Sequence, residues 1–240
     1  MLAMLGTVDL GAVRTAATPV LTDGTIAAAR NAKSLVEDAE LLSAAGRPAR
    51  AYALAVLAVE EVGKAGSLAT LAAMPENMRP QAPIGRMLEW HQLKLVGGML
   101  IAALPFAPVP FAPPVLGTKL ATTPVDELAQ LLDSAQASAR QLDHVKQSGL
   151  YVDVDRSGQV REPAELAASR IREQLGLARQ AASSASALLR PGAHEIIARP
   201  GPESVEYSRA LVSAFAEAGH GRGALAAADV LLNAVGKLQG

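Results

Sequence analysis

The chain has no cysteine and very few aromatic residues, and both absences restrict what it can be. Without cysteine it forms no disulfides and no thiolate metal sites, and we expect a cytoplasmic protein. Aromatic residues make up only 3% of the 240 residues, whereas half of all residues are apolar. Alanine, leucine and valine must therefore form the core. This composition favours close-packed helices over sheets, so we predict an all-α protein.

Net charge is also nearly absent, because 22 lysines and arginines oppose 23 aspartates and glutamates. A chain with a formal charge of -1 has no global attraction for nucleic acid, so any contact with RNA must be a local patch. No two histidines stand at metal-ligand spacing, and no glycine-rich phosphate loop follows a strand. We therefore expect neither a metal site nor a cofactor.

An unbroken membrane span is missing as well. The segment from Leu95 to Gly117 carries no charge and is long enough to cross a bilayer. Five prolines between Pro105 and Pro114 nevertheless prevent a continuous helix. We expect the helix to end near Leu104, to be followed by a stiff apolar loop, and to leave no membrane span.

The sequence does contain a series of helical segments. Gly46 is expected to end the first, which Asp23 or Thr25 would cap, and Pro48 to lie in the first turn of the second. The short connection predicts an antiparallel hairpin. Residues 1–23 are expected to form a tail or an ill-formed first helix, and residues 151–158 an extended piece and a turn. The predicted helices are Thr25–Ala45, Pro48–Met74, Ile84–Leu104, Thr123–Lys146, Pro163–Leu189, Ser204–Ala218 and Ala224–Leu238.

The second helix carries the most informative stretch. Nine consecutive apolar residues from Ala51 to Val59 predict a helix in the middle of the core. Glu60, Glu61 and Lys64 follow at once, and Glu60 and Lys64 are spaced to pair on one face. Buried charges need partners, whereas a helix that reaches the surface here would leave the three charges solvated. Both interpretations remain open from the residues alone.

Two blocks resemble one known family. Asn31-Ala32, Glu37-Asp38-Ala39 and the run Tyr52–Lys64 resemble the AbiV family of abortive-infection proteins, a branch of the HEPN superfamily. The block Lys146–Asp153 resembles the segment after the later helices of that family. The resemblance implies a HEPN-like antiparallel helical bundle over residues 24–190, with a C-terminal helical pair, residues 191–240, packed on the same domain. It also implies an antiphage effector that halts growth or translation in infected cells.

The resemblance supplies two candidate catalytic pairs. Many HEPN proteins are metal-independent ribonucleases with an arginine, four to six intervening residues and a histidine, and Arg86 and His91 fit that spacing. Histidine can move the proton of the ribose 2′-OH and arginine can bind the phosphate, although composition alone supplies about one such match. Lys146 and Tyr151, with Asp153 two residues on, occupy the family's motif position and are favoured.

The substitution of lysine and tyrosine at the motif position leaves two functions open. Tyrosine is a poor general base at neutral pH, so the chain is either a metal-independent endoribonuclease or a non-catalytic module that binds a nucleotide or a protein. In the second case Tyr151 packs on the bundle and Lys146 neutralises its helix end. Candidate partners are RNA or a nucleotide, a phage or host protein, and a second copy of the chain in a homodimer.

The two family-like blocks are expected to meet in space. They are the only polar clusters that adjoin long apolar helices, and a buried carboxylate beside a lysine would be paired. We therefore predict that Glu60, Glu61 or Lys64, the candidate binding residues, lies within reach of the segment from Lys146 to Tyr151.

Overall fold

The computed structural model describes residues 10–81, 88, 91–103, 124–151, 153–154, 158–161, 168–189, 192 and 195. The described chain is a helical bundle, which confirms the predicted all-α class. The helices are α1 (Leu10–Thr15), α2 (Thr18–Ala44), α3 (Pro48–Ala73), α4 (His91–Ala103), α5 (Val125–Leu150) and α6 (Ala168–Ala185). Short 3₁₀ turns cover Glu76–Gln81 and Ser186–Leu189, and two short strands are β1 (Asp153–Val154) and β2 (Val160–Arg161).

The α2–α3 hairpin forms as the sequence predicts. Gly46 has a φ of 68°, a left-handed conformation that glycine adopts without a Cβ clash. The amide of Gly46 donates to Ser43 O at 3.2 Å and that of Arg47 to Leu42 O at 2.9 Å. These two bonds satisfy carbonyls that the end of α2 would otherwise leave unpaired. Pro48 then begins α3, as predicted.

Three helix boundaries differ from the predictions. Helix α2 begins at Thr18 rather than Thr25, because Pro19 lies in the first turn and its missing N–H is not needed there. Asp23 and Thr25 are therefore inside the helix and cap nothing; Ala17 is the N-cap residue. Helix α5 starts at Val125, two residues after the predicted Thr123, and continues past Lys146 to Leu150.

Helix α3 is the central element of the bundle. It packs against α2, α4, α5 and α6, and 18 of its 26 residues are buried. The apolar run from Ala51 to Val59 therefore lies in the core, as its composition predicts. Small alanine side chains dominate that run and let the neighbouring helices approach closely.

Arg79 fixes the turn that follows α3 to the start of the chain. Its guanidinium is 2% exposed and donates through Nε to Leu71 O at 3.0 Å and Met74 O at 3.1 Å. The Nη atoms donate to Ala16 O at 2.7 Å and to Thr18 Oγ1 at 2.5 Å. A buried guanidinium is stable only when its donors are satisfied, so this side chain holds the α1–α2 junction against the end of α3.

The remaining segments agree only in part with the expectations. Residues 10–15 and 18–23, predicted to belong to a tail or an ill-formed first helix, form α1 and the start of α2. Helix α6 ends at Ala185 rather than at Leu189, and a 3₁₀ turn follows it. Helix α4 ends at Ala103, beside the predicted end at Leu104, and the proline-rich loop lies outside the described residues. The strands pair antiparallel with Asp153 opposite Arg161, which confirms the extended piece after α5. The C-terminal pair predicted within residues 191–240 also lies outside the described residues. Among the helices that are described, none has the length and apolar character needed to cross a membrane.

Candidate active site

Glycines bring α3 and α4 into direct backbone contact. A Cβ atom on Gly63 would lie 1.9 Å from Lys94 O, and one on Gly98 would lie 2.1 Å from Val59 O. Neither distance is compatible with a side chain, so only glycine permits this approach. The contact places Glu60, one turn before Gly63, opposite the first turn of α4.

Glu60 is the centre of a buried charge cluster. The residue is 3% exposed, although it follows nine apolar residues on the central helix. Its Oε1 accepts a hydrogen bond from Lys146 Nζ at 2.6 Å, and its Oε2 lies 2.6 Å from His91 Nδ1. Lys94 Nζ approaches the same Oε2 at 3.7 Å. Three helices, α3, α4 and α5, therefore converge on a single carboxylate.

Lys146 is held between two carboxylates. Its side chain is 3% exposed, and Nζ lies 2.9 Å from Asp143 Oδ1 as well as 2.6 Å from Glu60. Burial by itself lowers the pKa of a lysine, but the bonds to Glu60 and Asp143 outweigh that effect and raise the pKa of Lys146 above its ordinary value. Lys146 is therefore a charged, internal partner of Glu60.

His91 occupies the accessible side of the cluster. Its side chain is 53% exposed, whereas the carboxylate that it contacts is almost fully buried. Because an ionised carboxylate only accepts hydrogen bonds, Nδ1 carries the proton that points to Glu60. In the neutral ring Nε2 then has a free lone pair. A histidine fixed in this way has the orientation and tautomer required of a general base.

The predicted meeting of the two blocks is confirmed by the Glu60–Lys146 contact. The predicted intrahelical pair of Glu60 with Lys64 is wrong: Lys64 Nζ lies 3.4 Å from Glu61 Oε1 instead. The solvated interpretation is also wrong for Glu60, and it holds only in part for Glu61 and Lys64, whose side chains are 20% and 34% exposed. A charge on the core-facing side of α3 reaches charges on other helices, whereas charges on the outer side pair with their neighbours.

The other candidate residues make no described contact with Glu60. Tyr151 is 60% exposed just after α5, and no hydrogen bond among the described residues joins it to Lys146. Asp153 belongs to β1. Arg86 lies outside the described residues. The two candidate pairs are thus connected through Glu60, which touches His91 from one and Lys146 from the other.

Sequence reasoning missed Lys94, Asp143 and the glycine contact. Two signals pointed to the charged residues: His91 and Lys94 are three positions apart on α4, and Asp143 and Lys146 are three apart on α5. Residues at that spacing share one helix face. The local sequence pattern does not indicate that these faces of α4 and α5 both point towards α3.

Comparison with known proteins agrees with this architecture. The family model HEPN_AbiV, described as AbiV, matches residues 20–183, about two thirds of the chain. The chain belongs to the AbiV family. It is thus a HEPN-type abortive-infection protein, and the matched region includes Glu60, His91 and Lys146. No curated protein sequence and no solved structure matches the chain significantly.

Proposed function

We propose that this AbiV-family protein is an antiphage effector that cuts RNA without a metal ion and thereby halts growth or translation in the infected cell. The observation that carries the proposal is the pairing of a half-exposed His91 with a buried Glu60 at 2.6 Å. Of the two candidate pairs, this geometry supports the one that contains His91. Lys146 takes the role of a positioning residue, because it is buried and contacts Glu60 rather than the surface.

The proposed reaction needs one proton acceptor and one proton donor. His91 Nε2 takes the proton of a ribose 2′-OH, and O2′ attacks the adjacent phosphorus. The bond from phosphorus to O5′ breaks, and the imidazolium returns the proton to O5′. The products are a 2′,3′-cyclic phosphate and a 5′-hydroxyl, so all atoms and electrons balance. Histidine suits both steps because its two protonation states are populated near neutral pH.

Cationic side chains would hold the phosphate. Lys94 Nζ lies 3.7 Å from the oxygen that His91 also contacts, and 13% of its side chain is exposed. We assign it, together with Arg86 of the sequence motif, to binding the scissile phosphate. Positive groups in a partly dry site stabilise the charge that develops on the phosphoryl oxygens.

Incubation of the purified protein with total RNA tests the proposal. We expect cleavage that persists in EDTA and yields cyclic phosphate ends. His91→Asn is the informative variant, because the asparagine amide can still donate to Glu60 but has no ring Nε2 to accept the proton. His144→Asn is the matched control, since His144 is exposed on α5 and belongs to no described contact of the cluster. Equal cleavage by both variants would reject His91 as the base.

The rival function is a non-catalytic module that binds a nucleotide or a protein. The burial of Lys146 favours it, because the lysine at the family's motif position is bound to two carboxylates and is not accessible to RNA. The same experiment decides between the two functions. A folded protein that leaves RNA intact with and without EDTA supports the binding module.

The proposed location of the protein follows from its proposed substrate. An effector that cuts cellular RNA acts where that RNA is, so we propose a cytoplasmic protein. We further propose that it works as a homodimer, in which two clusters of the kind built around Glu60 would face a shared cleft. A phage or host protein remains the proposed trigger.

A further inference from the structure

A separate cavity of about 430 Å³ lies among α3, α4, α5 and α6. Its volume is within the range of small-molecule sites in proteins, and helix bundles commonly place such sites between facing helices. None of its lining residues belongs to the Glu60 cluster, although Leu142 in its wall directly precedes Asp143. The cavity is therefore distinct from the candidate active site and shares three helices with it.

The inner wall of the cavity is apolar and aromatic. Tyr52 and Met99 are 5% and 8% exposed, and Leu142 and Leu177 are partly buried against the same core. A tyrosine ring and a methionine thioether favour contact with a flat, polarisable group. Burial raises the pKa of Tyr52, so its hydroxyl stays protonated and can donate a hydrogen bond.

Gln174 gives the cavity an unused hydrogen-bond donor. It lines the cavity and is 4% exposed, but among the described residues its Nε2 has no hydrogen-bond partner. A buried donor without an acceptor is unfavourable, and such groups are rare in folded proteins. A ligand that carries an acceptor would satisfy it.

The charges around the cavity restrict the ligand to a neutral molecule. Within the part of the chain that the structure describes, the buried side chains that line it include no charged group. Its two charged lining residues, Arg170 and Glu173, are exposed, opposite in sign and three positions apart on α6. A charged ligand would lose its hydration without gaining a buried counter-charge.

We propose that this cavity binds a small, neutral, planar heterocycle that carries a carbonyl acceptor, with the carbonyl oxygen at Gln174 Nε2 and the ring between Tyr52 and Met99. The ligand needs an acceptor because the amide of Gln174 lacks a described partner. It should be flat because Tyr52 and Met99 form the wall, and neutral because Arg170 and Glu173 have opposite charges. This site is independent of the proposed RNA cleavage, and ligand binding to it can be measured whether or not the protein cleaves RNA.

Binding of nicotinamide, uracil and hypoxanthine to the full chain tests the proposal. Each probe is neutral and planar and has a carbonyl oxygen, and we expect at least one to bind saturably, one per chain, by calorimetry or saturation-transfer NMR at millimolar concentration. Gln174→Leu keeps the approximate size but removes the donor, so it should weaken that binding by roughly tenfold or more. Gln130→Leu, on an exposed position of α5 outside the cavity, should leave it unchanged.

A second variant keeps the test independent of any change in folding at position 174. Ala135→Leu places a larger side chain in the cavity from its buried wall and should also abolish binding. Thermal melts should show that Gln174→Leu is at least as stable as the natural chain, because the unpaired amide is gone. Failure of all three probes to bind, or binding that survives both cavity variants, would overturn the proposal.

Discussion

Glu60 and Lys146 lie 86 residues apart in the chain, yet Oε1 of the glutamate is 2.6 Å from Nζ of the lysine. Both side chains are only 3% exposed, so each is the main reason why the other can be charged inside the bundle. The pair joins the central helix α3 to α5, and His91 is attached to the other oxygen of the same glutamate. The position of His91, the proposed base, therefore depends on Lys146 as well, because Lys146 holds the glutamate that His91 contacts.

Breaking the buried pair should be far more harmful than breaking a surface pair. Lys146→Met leaves Glu60 and Asp143 buried without their lysine, and we expect a loss of about 3–5 kcal/mol in the free energy of unfolding. Lys64→Met removes only the partly exposed contact with Glu61, so its effect should stay within about 1 kcal/mol. Urea denaturation measures both. Equal losses in the two variants would contradict the burial of the Glu60 cluster.

The same lysine predicts a dependence of stability on alkaline pH. The pKa of Lys146 is raised in the folded protein above the ordinary value of 10.5, so folding favours its protonated form. Its stabilising effect should be fully present below about pH 10.5 and should disappear as the pH rises through the folded pKa. Chemical denaturation of the natural chain and Lys146→Met at several pH values tests this. The difference between them should be constant near neutrality and shrink in alkali.

Much of the fold could be predicted from local patterns. Gly46, Pro48 and Pro75 mark helix ends through constraints that act within a few residues, and all three predictions hold. The partners of Glu60 could not be predicted in the same way. They depend on how α4 and α5 are rotated about their axes relative to α3, and periodicity does not specify that rotation. The apolar run before Glu60 showed only that a charge there would need a partner.

Substitutions at His91 and Tyr151 should separate the two candidate pairs. Loss of a general base typically lowers a rate by roughly 100- to 10,000-fold, which is our expectation for RNA cleavage by His91→Asn. Tyr151→Phe should leave cleavage nearly unchanged, because the exposed hydroxyl makes no described bond to the cluster. Cleavage rates and thermal melts of both variants are needed, since a loss of folding would imitate a loss of catalysis. The opposite order of effects would restore Tyr151 as the favoured residue.

The contact between α3 and α4 should tolerate no side chain. In Gly98→Ala the new methyl would lie 2.1 Å from Val59 O, so the helices must separate. We expect a loss of about 1–3 kcal/mol in stability, together with lost cleavage as His91 moves away from Glu60. Gly176→Ala is the matched control: a Cβ added there, in α6, would meet no described atom within 4 Å beyond its own helix, and the variant should gain about 0.5–1 kcal/mol. Retained cleavage in Gly98→Ala would show that the site does not depend on this contact.

The oligomeric state gives a further prediction. Leu150, Tyr151 and Val160 are large apolar side chains that remain exposed at the end of α5 and in β2. A second copy of the chain would remove such surface from water. We expect light scattering to give about twice the chain mass of 24.7 kDa at micromolar concentrations. A constant mass near that of one chain would contradict the dimer.

The hydrogen bonds of Arg79 extend beyond the region that the family match covers. The family match begins at residue 20, but two acceptors of the buried guanidinium, Ala16 O and Thr18 Oγ1, lie upstream of that boundary. A chain trimmed to the match would retain the arginine and lose both acceptors. Its remaining partners for the Nη atoms would be Ala72 O at 3.4 Å and Glu76 Oε1 at 3.6 Å, which are longer contacts than the two that are lost. We therefore expect a chain that starts at or before Ala16 to be more stable than one trimmed to the match, because only the longer chain keeps both contacts between its first residues and Arg79.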